Sequence, residues 1–303
     1  MKTILVLTDF SNNALRAAEA AVILAGEIHA NLLVMHSDNS IPMIPYYKGM
    51  PVITENISWE SMKNEQMDKL VAHLESFANL NVVPHHKLSI HVRLMTGDLQ
   101  ANVKEIVKEK IIELIIIGAR SGSKFDHILF GSDTNALIEH TECPVLIIPQ
   151  NYNFRKLDRV IFATNFNETD VHVINYLFKL GKLLQYQLEI VHVSLYGDKP
   201  GLKNESVRGY INSLSEKKYP AVLFRDIRGK RLLPRLIKHC QERETDILAL
   251  SYQHHSFVMR ILKEGTVKMS IGQQKIPILV FHSAKPSVQQ KGNEKNTVGS
   301  VFL

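Results

Sequence analysis

Residues 4–11 read ILVLTDFS, and the same arrangement returns at residues 160–167 as VIFATNFN. In both stretches a short apolar run meets threonine, then aspartate or asparagine, then phenylalanine. Continuous apolar runs of this length are typical of strands that are buried on both faces of a sheet. The polar residue that follows suits the N-cap of a helix. A duplicated strand-to-helix unit is therefore predicted.

The duplication continues through both halves of the chain. Each copy goes on with apolar residues at helical spacing, a second strand, and a later helical stretch that opens at Gly97 or Gly229. The matching later strands are 32–36 with 188–192, 114–117 with 247–250, and 143–148 with 276–281. Alternation of strands and helices predicts right-handed crossovers. We expect an α/β fold of two tandem doubly wound domains, each a roughly five-stranded parallel sheet with helices on both faces.

The domain limits follow from the repeat and from composition. A chain of 303 residues suggests about two domains at roughly 100 to 200 residues each. Residues 1–150 and 156–283 are the predicted domains, with a short polar connector between them. Residues 284–303 are rich in Lys, Gln, Asn, Gly and Ser, which predicts a flexible tail.

Composition excludes several classes of protein. With 45% hydrophobic and 22% charged residues, the chain is not typical of disordered, collagenous or membrane-spanning proteins. Two cysteines, Cys143 and Cys240, cannot build a disulfide framework, which favours a reducing cytoplasm. Asp9 interrupts the N-terminal apolar run before a signal peptide or a membrane span could form.

The net charge of +6 conceals two halves of opposite sign. Residues 1–150 hold 12 basic and 17 acidic residues, a net of −5, which leaves +11 for residues 151–303. The densest basic stretch runs from Arg225 to Arg243. Because no nucleic-acid-binding motif accompanies it, we interpret it as a solvated helix face and not as a nucleic-acid site. The opposite signs could attract the halves to each other, within one chain or across a dimer.

A glycine-containing turn is the strongest candidate for chemistry. Residues 118–134 read GARSGSKFDHILFGSDT and follow the fourth predicted strand. Gly131 and Ser132 precede a predicted helix, whose N-terminus would favour an anion such as phosphate. Ligands of open α/β sheets bind beyond the carboxyl ends of the strands, near the switch in strand order. Asp9, Gly118 and Gly131 are therefore expected to be neighbours there.

Taken together, the Thr8 to Ser11 opening, this turn and the ending at residues 143–146 resemble the universal stress protein family, and specifically its tandem-domain members. Members that bind ATP carry Gly, two residues, Gly, nine residues, and then Gly followed by Ser or Thr. Gly118 and Gly131 with Ser132 keep the outer spacing. Ser121 stands at the middle position, and Gly122 comes one residue later.

The resemblance implies a role for each matching residue. Asp9 would lie beside adenine and ribose, and Ser37, where the family usually has an apolar valine, would contact the base. Gly118 would bring the backbone near ribose and phosphate. Gly131 and Ser132 would hold the phosphates. Arg120 and Gly122, in the same turn, complete the candidate nucleotide-binding set.

The second half departs further from the family pattern. Asn165 replaces the aspartate, and Ser251 or Tyr252 stands where the first glycine should be. No glycine follows before Gly265. We therefore interpret this half as a degenerate copy. The resemblance also implies that the last strands of the two halves pair, so that one chain imitates a dimer.

Other kinds of site find less support. The histidine pairs at residues 85–86 and 254–255 and the His127 position lack the spacing of zinc ligands, so no metal site is predicted. The turn is neither a Walker A loop nor a nucleophile elbow, and no catalytic residue is assigned. We expect no efficient ATPase, while slow hydrolysis stays open. The apolar, proline-rich loop at residues 41–51 could cover the crevice, dock a partner, or pack on its own domain.

These features support one leading hypothesis and one alternative. The leading hypothesis is a cytoplasmic stress protein whose first half binds ATP or a related adenine nucleotide as a regulatory ligand. Its second half would be structural or would bind a partner. The alternative is a nucleotide-free stress adaptor that acts through protein contacts. Whether two chains form a homodimer, and which protein is the partner, stay open.

Overall fold

Strands and helices alternate along the chain. The computed structural model describes residues 2–38, 46–47, 50–51, 56–81, 88–121, 128–129, 132–149, 152–197, 205–215, 221–252 and 276–282. The strands are β1 (Thr3–Leu7), β2 (Asn31–Asp38), β3 (Tyr46–Tyr47), β4 (Met50–Pro51), β5 (Ile90–Thr96), β6 (Ile112–Gly118), β7 (Arg120–Ser121), β8 (Ile128–Leu129), β9 (Val145–Ile148), β10 (Arg159–Ala163), β11 (Gln187–Leu195), β12 (Val222–Gly229), β13 (Ile247–Tyr252) and β14 (Ile278–His282). The helices are α1 (Asn12–Ile28), α2 (Asn56–Asn81), α3 (Leu99–Glu109), α4 (Ser132–His140), α5 (Asp170–Leu184), α6 (Glu205–Ser215) and α7 (Leu232–Glu242).

Ten of these strands form one sheet in the order β12-β11-β10-β13-β14-β9-β6-β1-β2-β5. Neighbouring strands within each half run parallel. β14 and β9 join the halves as an antiparallel pair, with Ile278 opposite Ile147 and Val280 opposite Val145. Each half is thus a five-stranded parallel sheet whose strand order reverses beside its own first strand. The predicted fold class and the predicted pairing of the last strands are confirmed.

A hydrophobic core lies on each face of this sheet, and both cores extend through both halves. One core contains buried residues of α1, α2, α5 and α6, and the other contains buried residues of α3, α4 and α7. Strands of the sheet contribute side chains to both cores. In β1, Ile4 and Val6 belong to the first core, while Leu5 and Leu7 belong to the second. Burial on two faces explains why the strands are continuous apolar runs.

The start of each long helix differs from the prediction. The sequence suggested that the polar residue directly after the strand would cap the helix. Instead Ser11 caps α1 by accepting the N–H of Ala14, two residues beyond Asp9. In the second half the N-cap of α5 is Thr169, which makes no side-chain capping bond. Asp9 and Asn165 are left in turns, where their side chains remain at the edge of the sheet.

Several predicted features fall on residues outside the described ranges. They include the 284–303 tail and the 41–51 loop, apart from the backbone of β3 and β4. The limits 1–150 and 156–283 stay a prediction. Within the described ranges, no helix has the length and apolar character that crossing a membrane requires.

Candidate functional site

A cavity of about 350 Å³ opens beyond the carboxyl ends of β1, β2 and β6. Its volume falls within the range of small-molecule sites, roughly 300 to 1,000 Å³. The described residues that line it are Leu7, Thr8, Asp9, Ser11, Asn13, Ala14, Met35, Ser37, Gly97, Asp98, Leu99, Gln100, Ile117, Gly118, Ala119, Thr134 and Leu137. Three of the residues that the sequence singled out, Asp9, Ser37 and Gly118, are therefore brought together at the predicted edge of the sheet.

The turn after β1 sets one wall of the cavity. Phe10 has a positive φ of 62°, and its N–H donates to the hydroxyl of Thr8 at 3.0 Å. The N–H of Ser11 donates to Oδ1 of Asp9 at 3.0 Å, which leaves Asp9 exposed at the rim. Below the turn, the buried ring of His36 contacts the carbonyl oxygen of Thr8 through Nδ1 at 2.8 Å and packs against Phe10. This support fixes the carboxylate in place.

Ser37 belongs to a polar corner on the opposite side. Its hydroxyl donates to the carbonyl of Gly97 at 3.0 Å and accepts from Nδ2 of Asn102 at 2.9 Å. Asn102 also donates to the carbonyl of Thr96 at 3.1 Å. Asp98 caps α3 by accepting the N–H of Ala101 at 2.9 Å. Where the family resemblance implies an apolar side chain, this chain presents a hydrogen-bonded serine.

Gly118 is required by the approach of α1. A Cβ atom on Gly118 would lie 2.5 Å from the carbonyl carbon and oxygen of Asn13, and 2.8 Å from the nitrogen of Ala14. Buried Asn13 closes the contact by donating from Nδ2 to the carbonyl of Ala119 at 2.6 Å. The glycine thus allows the first turn of α1 to form a wall of the cavity. This packing role is additional to the one that the family resemblance implies.

The rest of the glycine-containing turn is only partly described. Arg120 and Ser121 form β7, which pairs with β8 in an antiparallel arrangement. Ser132 begins α4, and Thr134 and Leu137 of that helix line the cavity. Gly122 and Gly131 lie outside the described residues. The start of α4 is therefore at the cavity, as the prediction of a helix N-terminus requires.

The sequence missed several lining residues. Asn13, Gly97, Asp98, Gln100 and Thr134 all contribute to the cavity. Gly97 was noted only as the start of a helical stretch, and its φ of 99° marks the turn that carries Asp98 to the rim. Because these residues reach the site through strand order, their common position could have been inferred from the doubly wound topology.

The second half repeats the turn and packs a carboxyl group beside it. Phe166 again has a positive φ, 60°, and donates its N–H to the hydroxyl of Thr164 at 2.9 Å. Asp170, six residues after Thr164, takes the place that Ala14 has after Thr8. It is fully buried, and Oδ2 accepts from the Thr164 hydroxyl at 2.6 Å and from the N–H of Asn167 at 3.2 Å. A buried carboxyl group thus stands six residues after the threonine, where the first half has Ala14, a residue that lines the cavity.

Burial raises the pKa of Asp170, and the hydrogen bond from Thr164 opposes that shift. The strand registers place Ser251 where the first half has Gly118, and Tyr252 where it has Ala119. The question of which residue replaces the glycine is thus answered by Ser251. Both changes support the prediction of a degenerate copy.

Ion pairs account for part of the basic stretch in the second half. Glu189 on β11 is fully buried and contacts Arg225, His239 and Arg243 at 2.9, 2.7 and 3.1 Å. Arg235 and Lys238 lie near Glu242 at the end of α7. Arg225 is solvent-exposed, as the interpretation expected, but it lies on strand β12 and not on a helix. Arg225 and the half-buried Arg243 both pair with a buried carboxylate, so a solvated helix face does not account for the whole stretch.

Cysteines and histidines form no reactive cluster among the described residues. Burial raises the pKa of the Cys143 thiol to about 11 and that of Cys240 to about 12. Both thiols are buried and free. In the part of the chain that the structure describes, no group of three or more potential ligands could hold a metal ion. The histidines at 85–86, 127 and 254–255 fall outside that part.

Comparisons with known proteins agree with this geometry. The profile of the universal stress protein family matches residues 1–149. A universal stress protein of Thermus aquaticus is 30% identical over 147 residues, 48% of this chain and 98% of that protein. One from Methanocaldococcus jannaschii is 25% identical over 150 residues, 48% of this chain and 81% of that protein. The crystal structure of a universal stress protein from Archaeoglobus fulgidus covers 93% of this chain and 98% of its own, with a TM-score of 0.69 and 17% identity. The last likeness concerns the fold and extends through both halves.

Proposed function

The chain belongs to the universal stress protein family, and we propose that its first half binds ATP or a related adenine nucleotide as a regulatory ligand. The observation that carries this proposal is the 350 Å³ cavity at which Asp9, Ser37, Gly118 and the start of α4 meet. Its floor is apolar, from Leu7, Met35, Ile117 and Leu137, and its rim is polar. Such a combination suits a flat base together with a hydroxylated sugar.

The phosphates of the ligand would depend on backbone groups. Among the lining residues that the structure describes there is no lysine, arginine or histidine, and the rim carries the carboxylates of Asp9 and Asp98. The N–H groups at the start of α4 are the donors that suit a phosphate at this edge. Gly131 and Ser132 are proposed to complete that cradle, with Arg120 and Gly122 earlier in the turn.

Calorimetric titration with ATP, ADP and AMP tests the proposal. The duplication offers a matched pair of variants, Asp9→Ala at the cavity of the first half and Asn165→Ala at the same position of the turn in the second half. Because Asp9→Ala removes a hydrogen bond to a carboxylate, the affinity for the nucleotide should fall by roughly tenfold or more. Asn165→Ala should leave the affinity unchanged. Gly131→Val should weaken ATP more than AMP. Absence of binding by the wild type would overturn the proposal.

A nucleotide-free stress adaptor is the second candidate. Two observations favour it: the Ser37 hydroxyl is committed to Gly97 and Asn102, and Ser121 lies in β7 at the position of the middle glycine. The adaptor would act through contacts with a protein partner, through the second half or through residues 41–51. Freshly purified protein would then release no adenine absorbance on denaturation. A stoichiometric amount of nucleotide in that extract would reject the adaptor.

We further propose that the protein is a binding protein of the cytoplasm and not an enzyme. The division into residues 1–150 and 156–283 would separate a ligand-binding domain from a structural or partner-binding one. A homodimer is compatible with this arrangement, as is a single chain that imitates a dimer. Steady hydrolysis of ATP that disappears in Asp9→Ala would instead support an enzymatic role.

A further inference from the structure

A side chain of the second half holds the helix that borders the cavity of the first half. Tyr252, the last residue of β13, is 1% exposed, and its Oη donates to Oε1 of Glu139 at 2.8 Å. Glu139 lies on α4, the helix that begins at Ser132. The ring of Tyr252 also stacks on His282 of β14, at 5.9 Å between centroids. Burial and stacking of the ring therefore fix the position from which the hydroxyl contacts α4.

The position of α4 depends on such contacts. A helix of nine residues is too short to be stable alone, so its place is set by tertiary packing. Leu137 and Ile138 are buried against the sheet, while Thr134 and Leu137 line the cavity. A small rotation of α4 would move the N–H groups of its first turn relative to β1 and β6. Anything that fixes Glu139 therefore also fixes the end of the cavity that would receive phosphate.

We propose that Tyr252 is a positioning residue for the phosphate end of the nucleotide site. The inference rests on the proposed function and adds a role for the second half, which orients α4 of the first half through Tyr252. The corresponding residue in the first half is Ala119, which is too short to reach across. The tyrosine at this position thus brings a hydroxyl to Glu139 that an alanine could not supply.

Tyr252→Phe tests the role, because it keeps the ring and removes only the hydroxyl. We expect the affinity for ATP to fall about fivefold, a typical size for coupling through a packed element. The affinity for adenosine should stay unchanged, since Asp9 and Ser37 are held by β1 and β2. Amide hydrogen exchange in residues 132–140 should become faster. Glu139→Ala should behave like Tyr252→Phe, while Glu139→Gln, which keeps an acceptor oxygen, should retain most of the ATP affinity.

Tyr176→Phe is the matched control. The hydroxyl of Tyr176 on α5 also joins the halves, by donating to the carbonyl of Glu113 at 3.1 Å, but it does not contact α4. Its loss should leave the ratio of ATP to adenosine affinity unchanged. An unchanged ratio in Tyr252→Phe, whether both affinities stay or both fall equally, would overturn the positioning role and leave the nucleotide site intact. No binding of either ligand by the wild type would overturn the proposed function, and this inference with it.

Discussion

At the scale of single residues, Ala14 and Asp170 follow turns of the same construction in the two halves. The turns before them match down to the Phe N–H that donates to a Thr hydroxyl, at 3.0 Å in one half and 2.9 Å in the other. Below each turn a buried histidine contacts the threonine carbonyl, His36 at 2.8 Å and His192 at 3.0 Å. With this frame shared, the residue six positions after the threonine is an alanine beside the cavity in one half and a buried aspartate in the other.

The buried carboxyl of Asp170 predicts a pH-dependent difference in stability. Its pKa is raised by burial above the ordinary value of 3.8. A group whose folded pKa lies above its unfolded pKa contributes stability below the unfolded value, and that contribution is lost as the pH rises through the folded pKa. The wild type should therefore lose stability relative to Asp170→Asn as the pH rises from about 3.8 through the raised pKa. Urea unfolding of both proteins at a series of pH values measures this.

Thr164→Val strengthens the Asp170 test. The Thr164 hydroxyl donates to Oδ2 of Asp170 at 2.6 Å and lowers the pKa of the carboxyl. Its removal should raise that pKa further and enlarge the loss of stability with rising pH. Parallel pH profiles for the wild type and Asp170→Asn would show that Asp170 has the same pKa in the folded and unfolded chain.

At the scale of elements, β11, β12 and α7 are joined by the carboxylate of Glu189. Two arginines and a histidine surround it, and they come from β12 and from α7 or its C-cap. An uncompensated charge in a buried site is strongly destabilising, whereas a fully paired one is tolerated. This network therefore holds the edge strand β12 and the helix α7 to the body of the sheet.

Glu189→Ala should destabilise the protein by about 3 kcal/mol, at the low end for a broken buried pair, because Arg225 and Arg243 can turn toward solvent. Glu65→Ala is the control, since Glu65 pairs with Lys69 on an exposed face of α2 and its loss should have no measurable effect. Denaturant unfolding compares the two. Equal midpoints for both variants would contradict a stabilising role of the network.

How far the sequence predicts each element depends on what places it. β1, β2 and β6 are continuous apolar runs, and burial on both faces alone dictates such strands. Glu189 was visible as a polar residue in a strand, but its three partners come from elements far along the chain. Similarly, the need for Gly118 was predicted, while its cause, the backbone of α1 at 2.5 Å from a Cβ position, depends on packing.

In the candidate site, too, some residues could be predicted from the sequence and others depend on tertiary packing. Asp9 and Gly118 were placed together because the ends of parallel strands meet at one edge. Ser37 was added by the family resemblance alone, and it lines the same cavity. Asp98, the N-cap of α3, and Thr134, in the first turn of α4, were missed although the strand order brings both helix starts to this edge. The contact from Tyr252 to Glu139 was beyond prediction, since it requires the relative position of the two halves.

At the scale of the whole molecule, the antiparallel pair of β9 and β14 converts two five-stranded sheets into one of ten strands. The pair covers an edge of each half that would otherwise present unpaired backbone groups. Both cores continue across this junction. The two halves are thus combined through a strand edge and through helix packing at the same time.

A chain of residues 1–150 should therefore fold and associate with itself through β9. The carbonyls of Pro144 and Ile148 accept the N–H groups of Ile115 in β6 and of Ala119 just after it. The backbone groups of Ile147 therefore face the other way, toward β14. Ile147→Pro removes an N–H from that edge and should keep the fragment monomeric. Sedimentation equilibrium measures the association, with circular dichroism to confirm folding. A fragment that stays monomeric, or one in which Ile147→Pro associates equally, would show that β9 does not need a covering strand.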